Sequence, residues 1–124
     1  MNANVGKVTE RIALILVAVV TIVLMVASLR FERHMANQRL LYYQLLAVRT
    51  SVNLFKALNK KNPDTLEELV SAEYAFEGED MQRRYLETLP TNQKGIMVDP
   101  FGNPYNYDRA SGWVKSSTSG YEYW

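Results

Sequence analysis

The stretch Ile12–Leu29 reads IALILVAVVTIVLMVASL and constrains this chain more than any other feature. It runs 18 residues without a charge, and only Thr21 and Ser28 are polar. At about 1.5 Å per residue, a helix of that length spans roughly 27 Å, close to the hydrocarbon thickness of a bilayer. Arg11 and Arg30 bracket it, placed so that their long stems carry charge toward headgroups. A buried core helix is the competing reading, but 124 residues supply too little protein to surround eighteen apolar positions. A cleaved secretory signal is the other, with Lys7 and Arg11 as its basic region. The run is long for such a signal and ends in SLRFER, with no small-x-small cleavage site. The expectation is a membrane-spanning helix over 12–29 behind a short tail over 1–11.

Flanking charge says little about orientation. Lys7 and Arg11, offset by Glu10, precede the run; Arg30, Arg33 and Arg39 follow it. The positive-inside count leans slightly toward a cytoplasmic C-terminus.

The helical signal continues past the apolar run. Residues 30–61 contain no Pro or Gly, and Phe31, Met35, Leu41, Leu45, Val48, Val52 and Phe55 keep one stripe in register. Leu46, Leu54 and Leu58 broaden it. These features predict one continuous helix from about Ile12 to Lys61, membrane-embedded first and amphipathic over 30–61. Asn62-Pro63 stops it, because the residue before proline is biased away from helical geometry.

Beyond the stop, Asp64-Thr65-Leu66-Glu67 has capping-box spacing, which predicts a short helix over Leu66–Ser71. EYAFEGE (73–79) reads as an acidic loop, and Met81–Leu89 as another helical turn. Asp99-Pro100-Phe101-Gly102 carries the residues a type I turn prefers. Tyr105 and Tyr107 then alternate with polar neighbours. Ser111-Gly112 and Ser119-Gly120 turn the chain, predicting an antiparallel meander of two or three short strands. Residues 62–124 are too few to bury a core alone. The amphipathic helix must supply a wall, with Tyr105, Tyr107, Trp113 and the terminal aromatics against Leu41 to Phe55. The fold class expected is α+β, a long helix packed on a small antiparallel sheet in a head over 62–124.

Composition removes most catalytic chemistry. The chain has no cysteine, one histidine (His34), and a net charge of +1. That leaves no thiol nucleophile, no thiolate metal site and no general pull toward nucleic acid. No phosphate-binding glycine loop, GxSxG or HExxH is present. His34 reads as an interfacial polar residue, since Glu32 at i−2 is on the wrong side to pair with it. No catalytic, cofactor or metal site is assigned. Charge is nonetheless segregated. Residues 30–61 hold seven bases and one acid, net +6; residues 62–89 hold eight acids and two bases, net −6. Intrachain compensation is one reading, contact between copies the other.

Val98-Asp99-Pro100-Phe101-Gly102-Asn103-Pro104-Tyr105-Asn106-Tyr107 resembles the DPWGNPYxY segment of major pseudopilins, with Phe101 in place of tryptophan. Asn62-Pro63-Asp64-Thr65-Leu66-Glu67-Glu68-Leu69-Val70 is similar to the YPxxLEELV stretch after their stalk helix. With the long helix, these motifs resemble the type IV pilin and type II secretion pseudopilin family across nearly the whole chain. The resemblance implies a structural subunit of a pilus-like or pseudopilus assembly in a bacterial inner membrane, with a single pass and an extracytoplasmic head. Its partners would be membrane lipid and other pilin-like subunits, not nucleic acid or a small-molecule substrate.

In the family a leader ends at a glycine, and a glutamate stands at the fifth mature position. Gly6 and Lys7 are the candidate processing site, with 1–6 as leader and Lys7 where the family has an aromatic or aliphatic residue. Glu10 falls at the fourth position, either as an assembly contact or as an ordinary juxtamembrane carboxylate. Major pseudopilins also bind calcium through C-terminal aspartates. Asp99, Asp108 and Glu122 fall short of the six oxygens a hard cation needs, so no metal is expected. The alternative is an uncleaved single-pass anchor whose head binds a partner of a secretion or pilus machine.

Overall fold

The computed structural model describes residues 2–124, with side chains from Gly6 onward. Helix α1 runs Asn2–Asn59 without a break at Arg30. The expected tail over 1–11 is therefore helical from Asn2. Once the apolar run nucleates a helix, extending it toward the N-terminus through residues that include no proline costs little per residue. The Met1 end of the candidate leader 1–6 lies outside the described residues.

The chain divides into two compact units, 1–36 and 37–124, each containing part of α1. In the first, every described side chain from Gly6 to Ala36 is exposed, the whole 12–29 run included. The helix is long and apolar enough to cross a membrane. The amphipathic face begins later than its spacing predicts. Phe31 and Met35 are exposed, and burial starts at Leu41. Leu46 and Leu58 also stay exposed, so the stripe is narrower than expected; Leu54 is partly buried.

In the second unit, α1 forms one wall of the core. Leu41, Leu45, Val48, Val52 and Phe55 pack with Leu66, Leu69, Tyr85, Leu86, Met97, Tyr105 and Val114. Each buried aliphatic side chain contributes about 1.5–3 kcal/mol. Tyr85 is held between Phe55 and Tyr74, with ring centroids at 5.0 and 4.7 Å. Polar ties also fasten the head to the helix. Ser51 Oγ donates to the Tyr85 carbonyl at 2.6 Å, and the Tyr105 hydroxyl to Gln44 Oε1 at 2.7 Å. Arg49 Nε and Nη2 both donate to the Val114 carbonyl, at 3.0 and 2.8 Å.

The helix ends just before the predicted stop. Lys60 adopts φ +60° and its N–H still reaches the Lys56 carbonyl, so the chain leaves through a left-handed residue that is not glycine. Asn59 Nδ2 donates to the Phe55 carbonyl and to the Tyr85 hydroxyl.

Helix α2 is Glu68–Ser71, shorter than predicted, and Glu67 makes no side-chain cap. Glu68 Oε2, one residue later, accepts the Asp64 N–H at 2.7 Å. Glu67 Oε1 accepts from Met97 N–H at 3.3 Å instead, which draws it out of the capping register.

Strands β1 (Glu73–Tyr74) and β2 (Arg83–Arg84) pair antiparallel, where a loop and a helical turn are expected. The pairing survives because Tyr74 packs on Tyr85 and Leu86 N–H reaches the Leu69 carbonyl, tertiary contacts that outweigh weak local preference. Strands β3 (Tyr105–Asp108) and β4 (Trp113–Ser116) form the expected hairpin, Tyr105 facing Ser116 and Asp108 facing Trp113. No third strand follows. Residues 118–124 fold as successive turns, Tyr121 N–H to Thr118 O and Trp124 N–H to Tyr121 O. The fold is α+β, one long apolar N-terminal helix with two small antiparallel sheets.

Trp113 departs from its expected core position. It is 51% exposed and lies under the Arg49 guanidinium, 4.7 Å from the ring centroid. Tyr121 and Trp124 pack on the core edge, whereas Tyr123 is 93% exposed.

Candidate assembly surface

Gly6, Lys7 and Glu10 lie on exposed helix. Gly6 and Glu10, four apart, share a face. Thr9 Oγ1 donates to the Gly6 carbonyl at 2.9 Å, and nothing lies within 4 Å of where a Gly6 Cβ would stand. These residues and the uncharged run after them present a continuous exposed helical surface within the first unit.

In the second unit, a groove of about 490 Å³ runs along α1, lined by Tyr42, Leu45, Leu46, Arg49 and Trp124. Tyr42 and Leu46 are 56% and 52% exposed at its rim, one turn apart. Arg49 is fixed at its edge by the Val114 carbonyl and the Trp113 ring, and desolvation lowers its pKa from the usual guanidinium range. Its role as a brace between helix and sheet has no signal in the helical pattern, because it needs β4's position.

The charge segregation survives folding. Among the described residues, the ion pairs join Arg83 to Glu79, Arg84 to Glu73 and Arg109 to Asp64. None of these three uses a lysine or arginine from 30–61. Arg39 and Lys56 remain exposed on α1, Lys60 and Lys61 just beyond its end, and Glu77 and Asp80 on the head.

Asp99 is buried, and the turn after it explains why. Its Oδ1 accepts the Phe101 and Asn103 N–H groups; its Oδ2 accepts the Ser116 and Thr118 hydroxyls. Asn103 Nδ2 donates to Thr118 Oγ1, tying the turn to the segment after β4. Gly102 at φ +85° closes the Asp99–Gly102 turn. A carboxylate whose oxygens each take two protein donors acts as an anchor. Asp108 is spent likewise on Ser111 and the Ala110 N–H, which hold its carboxyl below the usual range. Glu122 accepts from Gly120 N–H. Among the described residues, no group of three His, Asp or Glu side chains is arranged to hold a metal ion.

No protein family, curated protein or solved structure matches this chain.

Proposed function

We propose that this chain is a structural subunit of a type IV pilus-like or type II secretion pseudopilus assembly, a single-pass protein of a bacterial inner membrane with an extracytoplasmic head. The observation that carries the reading is α1 itself. One unbroken helix, Asn2–Asn59, presents an exposed uncharged run first and then completes the core of a small head. In lipid the run is solvated by acyl chains; on assembly the same surface packs against other helices. The pseudopilin-like segments around Asn62 and Asp99 support the same reading. The chain would act by helix packing, with no reaction of its own.

One sequence observation favours a second reading, an uncleaved anchor whose head binds a partner of such a machine. Lys7 follows Gly6, and Glu10 stands one position short of the family's glutamate. Intact-mass measurement of the protein from its native membrane separates the two. Loss of residues 1–6 is the outcome expected of the subunit, and an intact N-terminus favours the anchor. Self-association of the full chain in vesicles, read by energy transfer between labelled copies, is the second requirement. A strictly monomeric chain would sink the subunit reading.

A further inference from the structure

We infer that the β1–β2 loop of one copy docks into the Tyr42–Leu46–Arg49–Trp124 groove of a second copy, a head-to-tail contact that repeats. The inference rests on the reading of this chain as an assembling subunit, and names the surfaces through which the heads meet.

The two surfaces match in kind. The groove is mainly apolar, and Arg49 at its edge is already held through Nε and Nη2, leaving Nη1 without a partner among the described residues. Arg39 and Lys56 stand exposed on the same helix. An occupant therefore needs an apolar side chain beside a carboxylate. The β1–β2 loop has that pairing. Phe76 and Met81 are 43% and 66% exposed, and Glu77, Glu79 and Asp80 lie between them. The Glu79 N–H to Phe76 carbonyl bond and Gly78 at φ +88° set the loop as a tight turn. Tyr74 and Arg83 brace the Phe76 ring, with centroid and guanidinium distances of 5.4 and 5.9 Å. A preformed loop loses little conformational entropy on docking.

The contact cannot close within one copy. The strands carrying the loop are tied to α1 through Ser51 and Phe55, by way of Tyr85. The groove is on the flank of Arg49. Residues two apart on a helix point about 200° from each other, so loop and groove occupy different sides of α1. Two distinct surfaces joined between copies make a heterologous interface, which propagates instead of stopping at a pair. Opposite charge steers the approach and sets the register.

Cysteine cross-linking tests this directly, because the natural chain contains no cysteine. Full-length Leu46→Cys and Phe76→Cys proteins are mixed in lipid vesicles and oxidised with copper phenanthroline. A disulfide-linked dimer is expected from the mixture, with neither variant cross-linking to itself at a comparable rate. Adding Glu77→Lys and Asp80→Lys to the Phe76→Cys chain should cut the yield roughly tenfold. Adding Arg39→Glu and Lys56→Glu to its partner should restore it. A chain that self-associates by energy transfer but gives no mixed dimer overturns the docking and leaves the subunit reading standing. A chain that does not self-associate overturns both.

Discussion

The Tyr105 hydroxyl donates a 2.7 Å hydrogen bond to Gln44 Oε1, and both residues are buried. The bond joins the first residue of β3 to the face of α1 that carries Leu41, Leu45 and Val48. It satisfies a side-chain amide that otherwise sits on an apolar stripe, where desolvation without a partner is costly. It also explains why a glutamine interrupts the hydrophobic pattern of the helix.

Tyr105→Phe should lower the stability of the head by about 1–3 kcal/mol, since it leaves Gln44 Oε1 buried without a donor. Pairing it with Gln44→Leu should recover part of the loss. Near-UV circular dichroism during urea unfolding reads the head, and a double variant no better than the single one would contradict the account.

Alkaline pH should weaken the head through the same residue. Burial first, and the negative charge of Asp99 second, push the Tyr105 phenol well above its ordinary value. The folded head thus favours the protonated form. Its contribution is complete below the unfolded phenol's pKa of about 10 and drains away as pH rises toward the folded value. Unfolding midpoints measured from pH 8 upward should fall beyond pH 10, and less steeply in Tyr105→Phe.

Asp99→Asn should cost about 2–3 kcal/mol, because the incoming amide NH2 faces donors that a carboxylate accepted. The effect should show as a lower thermal midpoint in the Trp113 and Trp124 signal. Added calcium should leave the midpoint of the natural protein unchanged, as expected of an anchoring carboxylate.

Gly112→Ala should destabilise the β3–β4 hairpin by about 1–3 kcal/mol. Gly112 has φ +77°, and an added Cβ would come 2.7 Å from Asn62 Oδ1. Asn62 cannot easily yield, since its Nδ2 donates to the Arg109 and Ala110 carbonyls. An unaltered midpoint would mean the loop can shift.

Lys60→Gly should do the reverse, raising stability by about 1 kcal/mol. It relieves a left-handed conformation that costs a non-glycine residue roughly that much. Thermal unfolding compared with Lys60→Ala, which keeps the Cβ, isolates the backbone effect.

Features governed by local chemistry were the ones legible in the sequence. Leu41 to Phe55 declare a face by spacing alone, and Asp99 to Gly102 declare a turn by residue type. The β3–β4 hairpin follows from alternating tyrosines between turn residues. Features that depend on distant partners were not legible. Glu73-Tyr74 and Arg83-Arg84 are too short to show alternation, and their pairing needs Tyr85 packed on Phe55. The expected capping box does not form: Glu68 rather than Glu67 takes the Asp64 N–H, because Met97, thirty residues away, claims Glu67. The pattern places Trp113 with the sheet aromatics that face Leu41 to Phe55, while the Arg49 cation beside it lets the ring remain half in water. The candidate surface divided in the same way. Its basic and acidic segments were visible as composition, but the groove required Trp124 folded back against α1.

Because Leu41 through Phe55 belong at once to α1 and to the core of the head, the helix and the head are not interchangeable parts. A soluble version cut at Asn62 would forfeit one wall of its own interior and should collapse or aggregate, whereas one cut at Asn37 retains it. Transplanting this head to another tether must therefore carry the last six turns of helix along as inheritance.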